Sequence, residues 1–279
     1  MKKTDKFRIA AAVSAALLLG GAYVYYGDDI AQNRSEAEMR KHYPAPGVIS
    51  ALDEASLPDP TEAVNETEST SEDIIQTGTT SAEVALPEIR EEVKDDFVNT
   101  AAELNRSYPD ALGWLYVPDT NICYPVMQGG DNKYYLSHAY NGSELKAGSV
   151  FLDYRCENRF MNPINILYAH NMQNGSMFAA VLSFADDSFF ESHRYGWLAT
   201  PEKLYRIDFF SCAKADWLDE LYNGSTPIAE WLPHIRDKSV MLRDMDFSEN
   251  DRFISLSTCS YEFENARTIL TGKLVETED

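Results

Sequence analysis

Residues 251–275 read DRFISLSTCSYEFENARTILTGKLV. Two apolar, β-branched runs, Asp251–Thr258 and Thr268–Val275, flank a polar loop, which predicts two strands joined by a short connection. Cys259 closes the first run and Arg267 opens the second, eight residues later. A loop of that length lets neighbouring strands hold a thiol and a guanidinium side by side.

The same texture extends upstream. Short apolar runs separated by turn residues predict further strands at Gly113–Val117, Cys123–Met127, Ser149–Tyr154, Asn165–Ala169, Arg194–Thr200 and Lys203–Ala213. The intervals carry turn chemistry: Pro118-Asp119, Gly129-Gly130-Asp131, Asn141-Gly142 and Pro201-Glu202. Eight strands imply a barrel or a sandwich. Between Asp216 and Asp244 the strand pattern lapses, and Ile228, Trp231, Leu232 and Ile235 there predict an inserted helix. Ahead of the strands, Ile89, Val93, Phe97, Ala101 and Leu104 recur at helical spacing between Pro87, a favourable helix start, and Pro109, a stop. That spacing predicts an amphipathic helix packed on the domain that follows.

The first residues are of another kind. Lys2, Lys3, Lys6 and Arg8 form a basic tail over 1–8, and the run 9–26 is uncharged. Those eighteen residues span roughly 27 Å as a helix, close to the hydrocarbon thickness of a bilayer. Tyr23, Tyr25 and Tyr26 stand where an interfacial aromatic belt would, and Asp28 and Asp29 follow. A cleaved signal peptide would need a small-x-small site after the apolar core, whereas Ala22-Tyr23-Val24-Tyr25-Tyr26 puts bulky residues there. The expectation is an uncleaved single-pass anchor with a cytoplasmic N-terminus. Residues 27–86, rich in Glu, Ser, Thr, Ala and Pro, read as an acidic, flexible stalk, and residues 87–279 as the folded domain. The formal net charge is -21, and 51–100 alone holds 14 acidic against 2 basic residues. Such a balance argues against nucleic-acid binding.

Among five histidines, His170 stands out. It closes the apolar run Ile164–Ala169 and opens the polar loop Asn171-Met172-Gln173-Asn174-Gly175. A strand end is a rigid mount, and the loop gives solvent access. His138, after a Gly-Gly-Asp turn, is a weaker candidate. Singly, His170 is more readily a structural histidine and Cys259 a packed core cysteine. Together with Arg267 they supply what cysteine acyl transfer needs: a thiol, a base to make the thiolate and a donor for the oxyanion. Cys123, Cys156 and Cys212 show no metal-ligand spacing, and their pairing is left open.

Six segments in order carry a resemblance. They are Gly113-Trp114-Leu115; Tyr124-Pro125-Val126 with Gln128; Asp131-Asn132 with Tyr134-Tyr135-Leu136; and Ala147-Gly148-Ser149-Val150-Phe151 with Asp153-Tyr154-Arg155. Tyr168-Ala169-His170-Asn171-Met172 and Leu256-Ser257-Thr258-Cys259 followed by Arg267 complete the set. Over about Asp110 to Val275 the chain resembles the sortases, and among them class B. The resemblance implies a mainly β fold: a sortase-type eight-stranded β-barrel with an N-terminal helix and a helical insertion between two late strands. It also implies a cysteine transpeptidase without a cofactor or metal. Cys259 would be the nucleophile, His170 the proton donor and acceptor, and Arg267 the oxyanion or positioning group. By position, Asn132, Leu136, Tyr168, Ser257 and Ser260 would line the motif groove, although Ser260 stands where some class B enzymes carry an acidic residue. The implied partners are secreted proteins bearing a C-terminal sorting motif, and an acceptor amine of the peptidoglycan precursor or of a pilin. After a pilin-building sortase, the next alternative is a papain-like peptidase or amidase that delivers the acyl group to water, but papain-like chains place Cys before His. A non-enzymatic surface module on the same barrel would form no thioester.

Overall fold

The computed structural model describes residues 31–35, 37, 38 and 91–277. The expected anchor over 9–26 and most of the expected stalk lie outside them. Among the described residues no helix is long and apolar enough to cross a membrane. Within the segment expected as a stalk, 31–35, 37 and 38 are helical, and Gln32 is buried, its Nε2 donating to Met177 Sδ at 3.6 Å.

Helix α1, Glu91–Ser107, follows the spacing read from the sequence: Val93, Phe97, Ala101 and Leu104 are its buried stripe. Ile89, expected in the same stripe, falls outside the described residues. From its last turn, Asn105 Nδ2 donates to the carbonyls of Pro109 (3.3 Å) and Ala111 (2.9 Å), turning the chain into the first strand.

Nine strands follow: β1 Ala111–Tyr116, β2 Cys123–Met127, β3 Val150–Leu152, β4 Ile164–Tyr168, β5 Tyr195–Ala199, β6 Leu204–Asp216, β7 Ser239–Leu242, β8 Arg252–Cys259 and β9 Ala266–Glu276. Eight of them close a barrel in the order β5-β1-β2-β3-β4-β8-β9-β6, with β6 pairing back to β5. The pairings β2–β3 and β4–β8 are parallel and the rest of the ring antiparallel. The ninth strand is a departure from the expectation that no strand lies between Asp216 and Asp244. β6 is 13 residues long, and β7 pairs with its second half, beyond the part that β5 occupies. Four residues of alternating partial burial give too short a signal to read from sequence.

Helix α2, Asp187–Ser192, caps a 3-10 turn after β4, with Asp186 Oδ1 accepting from Phe189 N at 3.1 Å. Helix α3, Ile228–Lys238, is the expected insertion, between β6 and β7. Its Trp231 and Ile235 pack on Phe253, Ile166 and Phe210, a second apolar cluster distinct from the barrel interior. This explains the unbroken apolar run in β8. Phe253 enters the cluster under α3 while Ile254 and Leu256 enter the barrel, so both faces are buried and strict alternation disappears.

Gly148 shows why the Ala147-Gly148-Ser149 segment is built as it is. Its φ is +62°, and a Cβ there would stand 2.2 Å from the carbonyl oxygen of Tyr135. Only glycine fits that approach.

Candidate active site

β4 and β8 run parallel, in the register Tyr168↔Ser257, so both strands end at the same mouth of the barrel. β9 returns antiparallel from that mouth, with Cys259 directly opposite Arg267. Three side chains far apart in sequence are thereby mounted together: His170 two residues beyond β4, Cys259 at the end of β8 and Arg267 at the start of β9. The strand ends are sewn to each other. Thr258 Oγ1 donates to the Ala169 carbonyl at 2.8 Å, and Asn171 Nδ2 donates to the Cys259 carbonyl at 3.1 Å.

All three line one open groove of about 1050 Å³. His170 Nε2 lies 2.8 Å from the Leu136 carbonyl oxygen. A carbonyl only accepts, so Nε2 carries the proton and, in a neutral ring, Nδ1 is the basic nitrogen. The Arg267 guanidinium donates to the carbonyls of Ala266 (2.9 Å) and Asn265 (3.4 Å) in its own hairpin loop. In this arrangement the hydrogen bonds of both groups run to backbone carbonyls at the rim of the groove.

The flanks come from three connections. Between β2 and β3, Asn132 and Leu136 line the groove, and after β3 Tyr154 and Arg155 do. Between β6 and α3, Trp217, Leu218 and Asp219 form the facing wall, with Tyr222 behind them. Trp217 and Leu218 are 52% and 74% exposed, an apolar pair presented to solvent at the groove's edge. Asp219 is held from behind by His234 of α3, Nε2 to Oδ1 at 2.6 Å, with Lys238 3.6 Å away. Burial pushes the Asp219 carboxyl up, but the Leu221 amide and His234 outweigh it and leave the group below its ordinary range.

Of the residues expected to line the groove, Asn132, Leu136, Tyr168 and Ser257 do so. Ser260 does not. It is 4% exposed, beneath the hairpin loop, and its amide donates to the Ala266 carbonyl at 3.0 Å. Of the loop's two acidic residues, Glu262 is tied to Lys214 of β6 at 2.5 Å, which holds its carboxyl down at about 2. His138 stands off the groove, stacked on Tyr134 with ring centroids 4.0 Å apart. None of the four cysteines forms a disulfide. Cys212 lies in the core, where burial pushes its thiol up to about 12. Sequence reasoning missed Trp217, Leu218, Asp219 and Tyr222, because an inserted loop announces no chemistry. Asp153 and Arg155 belonged to a quoted segment, yet no role could be read for them.

No family model matches the chain. Relatives do. Sortase B of Listeria monocytogenes is 34% identical over 194 residues, covering 67% of this chain and 76% of the relative. A Streptococcus pyogenes class B sortase involved in pilus biogenesis superposes with a TM-score of 0.58 at 32% identity, covering 62% of this chain and 96% of that structure. The Staphylococcus aureus sortase B–substrate complex gives 0.60 at 26% identity, covering 64% and 86%. With the closed barrel described above, these likenesses define the protein as a cysteine transpeptidase of the sortase fold. More narrowly, the chain belongs to the sortase B family.

Proposed function

We propose that the groove receives the C-terminal sorting motif of a secreted protein and that Cys259 attacks the carbonyl carbon of its Thr. The thiolate sulfur forms a bond to that carbon and the peptide bond to the next residue breaks. His170 donates a proton to the departing amine, leaving a thioester on Cys259. In the second half an acceptor amine attacks the thioester, His170 takes its proton, and the thiolate leaves with a new amide formed. Arg267 turns from its loop carbonyls to the developing oxyanion, where a planar multi-donor cation lowers the barrier of both halves. The observation that carries this reading is the convergence of His170, Cys259 and Arg267 on one groove from three strand ends.

The acceptor we favour is an amine of the peptidoglycan precursor. The protein would work outside the membrane, tethered by residues 9–26, whose length, basic flank and tyrosine belt support that topology. A pilin lysine is the second reading, favoured by the likeness to the S. pyogenes enzyme of pilus biogenesis. Incubation of the full-length chain with a sorting-motif peptide and equimolar glycine peptide and lysine-bearing peptide tests both. Ligation to the glycine peptide supports the wall reading and ligation to lysine the pilin one. A free carboxylate product that no amine diverts would overturn both.

A further inference from the structure

Asp153, one residue past β3, is 0% exposed, yet every group facing its carboxylate is a donor. Five hydrogen bonds converge on it. Asn132 Nδ2 donates at 3.0 Å and Tyr168 Oη at 2.9 Å; Arg155 donates from its amide at 2.9 Å, Nε at 2.9 Å and Nη2 at 2.7 Å. Each donor leads to a different wall of the groove. Asn132 stands on the β2–β3 connection, where its Oδ1 accepts from Tyr154 N at 3.0 Å. Tyr168 ends β4, two residues before His170. Arg155 reaches across to the inserted wall, donating to the Tyr222 carbonyl at 3.0 Å. Tyr222 in turn bonds Ser257 of β8 through its hydroxyl at 2.8 Å and stacks on Tyr168, ring centroids 6.1 Å apart. Burial pushes the Asp153 carboxyl up, but the bonds from Arg155, Asn132 and Tyr168 outweigh it, and the group lies below its ordinary range.

We propose that Asp153 is a positioning residue for the donor peptide, fixing Asn132, Tyr168 and, through Arg155, Tyr222 at the spacing the peptide requires, without setting the reactivity of Cys259. The inference rests on the groove being the peptide site. An amide could not replace the carboxylate. With one accepting oxygen and an NH2, Asn would in either orientation turn hydrogens toward Arg155, whose amide, Nε and Nη2 can only donate. The groove walls would then separate while the strand ends, held by the β4–β8 and β8–β9 ladders, stay in place.

The test compares full-length wild type and Asp153→Asn. The probe is a quenched fluorogenic peptide with Thr before the last motif position, the best of a set randomised elsewhere, with a glycine peptide as acceptor. Separately, iodoacetamide alkylation of Cys259 is timed by mass spectrometry without peptide. Asp153→Asn is expected to raise KM about 10-fold, leaving kcat within about 3-fold, because misplaced walls weaken binding more than chemistry. Alkylation should stay within about 2-fold, since the thiol's mount is untouched. A loss confined to kcat, a parallel fall in alkylation, or unchanged kinetics would each overturn the proposal. If Asp153→Asn does not fold, Tyr168→Phe removes one donor and keeps the ring. It is expected to raise KM about 3-fold with the same alkylation rate, and unchanged KM there overturns the proposal equally. Wild type that turns over no peptide of the set overturns the peptide reading and this inference with it; wild type that does, beside an indistinguishable Asp153→Asn, overturns only the inference.

Discussion

The two sides of the groove are built by different means. On the barrel side, Cys259 and Arg267 sit on a continuous backbone ladder, and His170 stands just beyond a strand locked in parallel to β8. On the other side, the segment between β6 and α3 is held by a few side chains: Arg155 on the Tyr222 carbonyl, Tyr222 on Ser257, His234 on Asp219, and the apolar cluster around Trp231. A ladder holds its members with many shared bonds, so losing one side chain leaves the mount intact. A wall held by separate contacts loosens with each one removed. Under the proposed function the chemistry belongs to the first side, while the second supplies one wall of a donor groove whose other walls carry Asn132, Tyr168 and Ser257.

Substitutions on the barrel side should abolish reaction without unfolding. Cys259→Ala is expected to remove transfer by on the order of 10⁴-fold or more, and His170→Ala by roughly 10²–10⁴-fold, read as product formed per hour, with melting temperatures near wild type. Activity within 10-fold of wild type in either variant would break the comparison. Arg267→Lys comes next, with kcat lowered about 10²–10³-fold, because an ammonium cannot reproduce the planar fork of a guanidinium. Near-normal kcat would remove Arg267 from the oxyanion role.

On the inserted side the expected signature is different. Trp231→Ala empties the centre of the α3 cluster, at about 3–5 kcal/mol. Thermal melts should report that loss, and KM should rise well before iodoacetamide alkylation of Cys259 slows. Equal effects on both readouts would mean the two sides move as one. His234→Ala is the mildest, about 1 kcal/mol or less for a partly exposed pair, or some 2–4 °C in Tm. Acid sharpens the same point. The carboxyls of Asp153 and Asp219 are both held below their ordinary 3.8 in the folded chain. Their stabilising bonds are thus fully present above about pH 4 and are lost as pH falls through the depressed values. Melting curves between pH 6 and pH 3 should show that loss, with a shallower fall in Asp153→Asn.

Much of the barrel side was legible in the sequence because periodicity and strand ends are local signals. The run Phe253–Thr258, the hairpin to Arg267 and the stripe of α1 all stand where local pattern places them. The convergence of His170 on Cys259 was legible only through resemblance, since no local signal reports a parallel pairing across 89 residues of chain. The inserted wall was the least legible. β7 is four residues long, Trp217 and Leu218 sit in a loop, and Asp153 reads as an ordinary strand-end acid until its five donors are seen around it. The burial of Ser260 was not legible for a similar reason: neighbourhood in sequence to Cys259 does not decide which way a hairpin loop buries its side chain.

The most direct test of the account is intact-mass spectrometry of the full-length chain mixed with the fluorogenic peptide set, first without and then with a glycine peptide. The account predicts an acyl adduct on Cys259, stable until the amine is added and then converted to a ligated product, with no adduct in Cys259→Ala. An adduct on another residue, or turnover by Cys259→Ala, would contradict it.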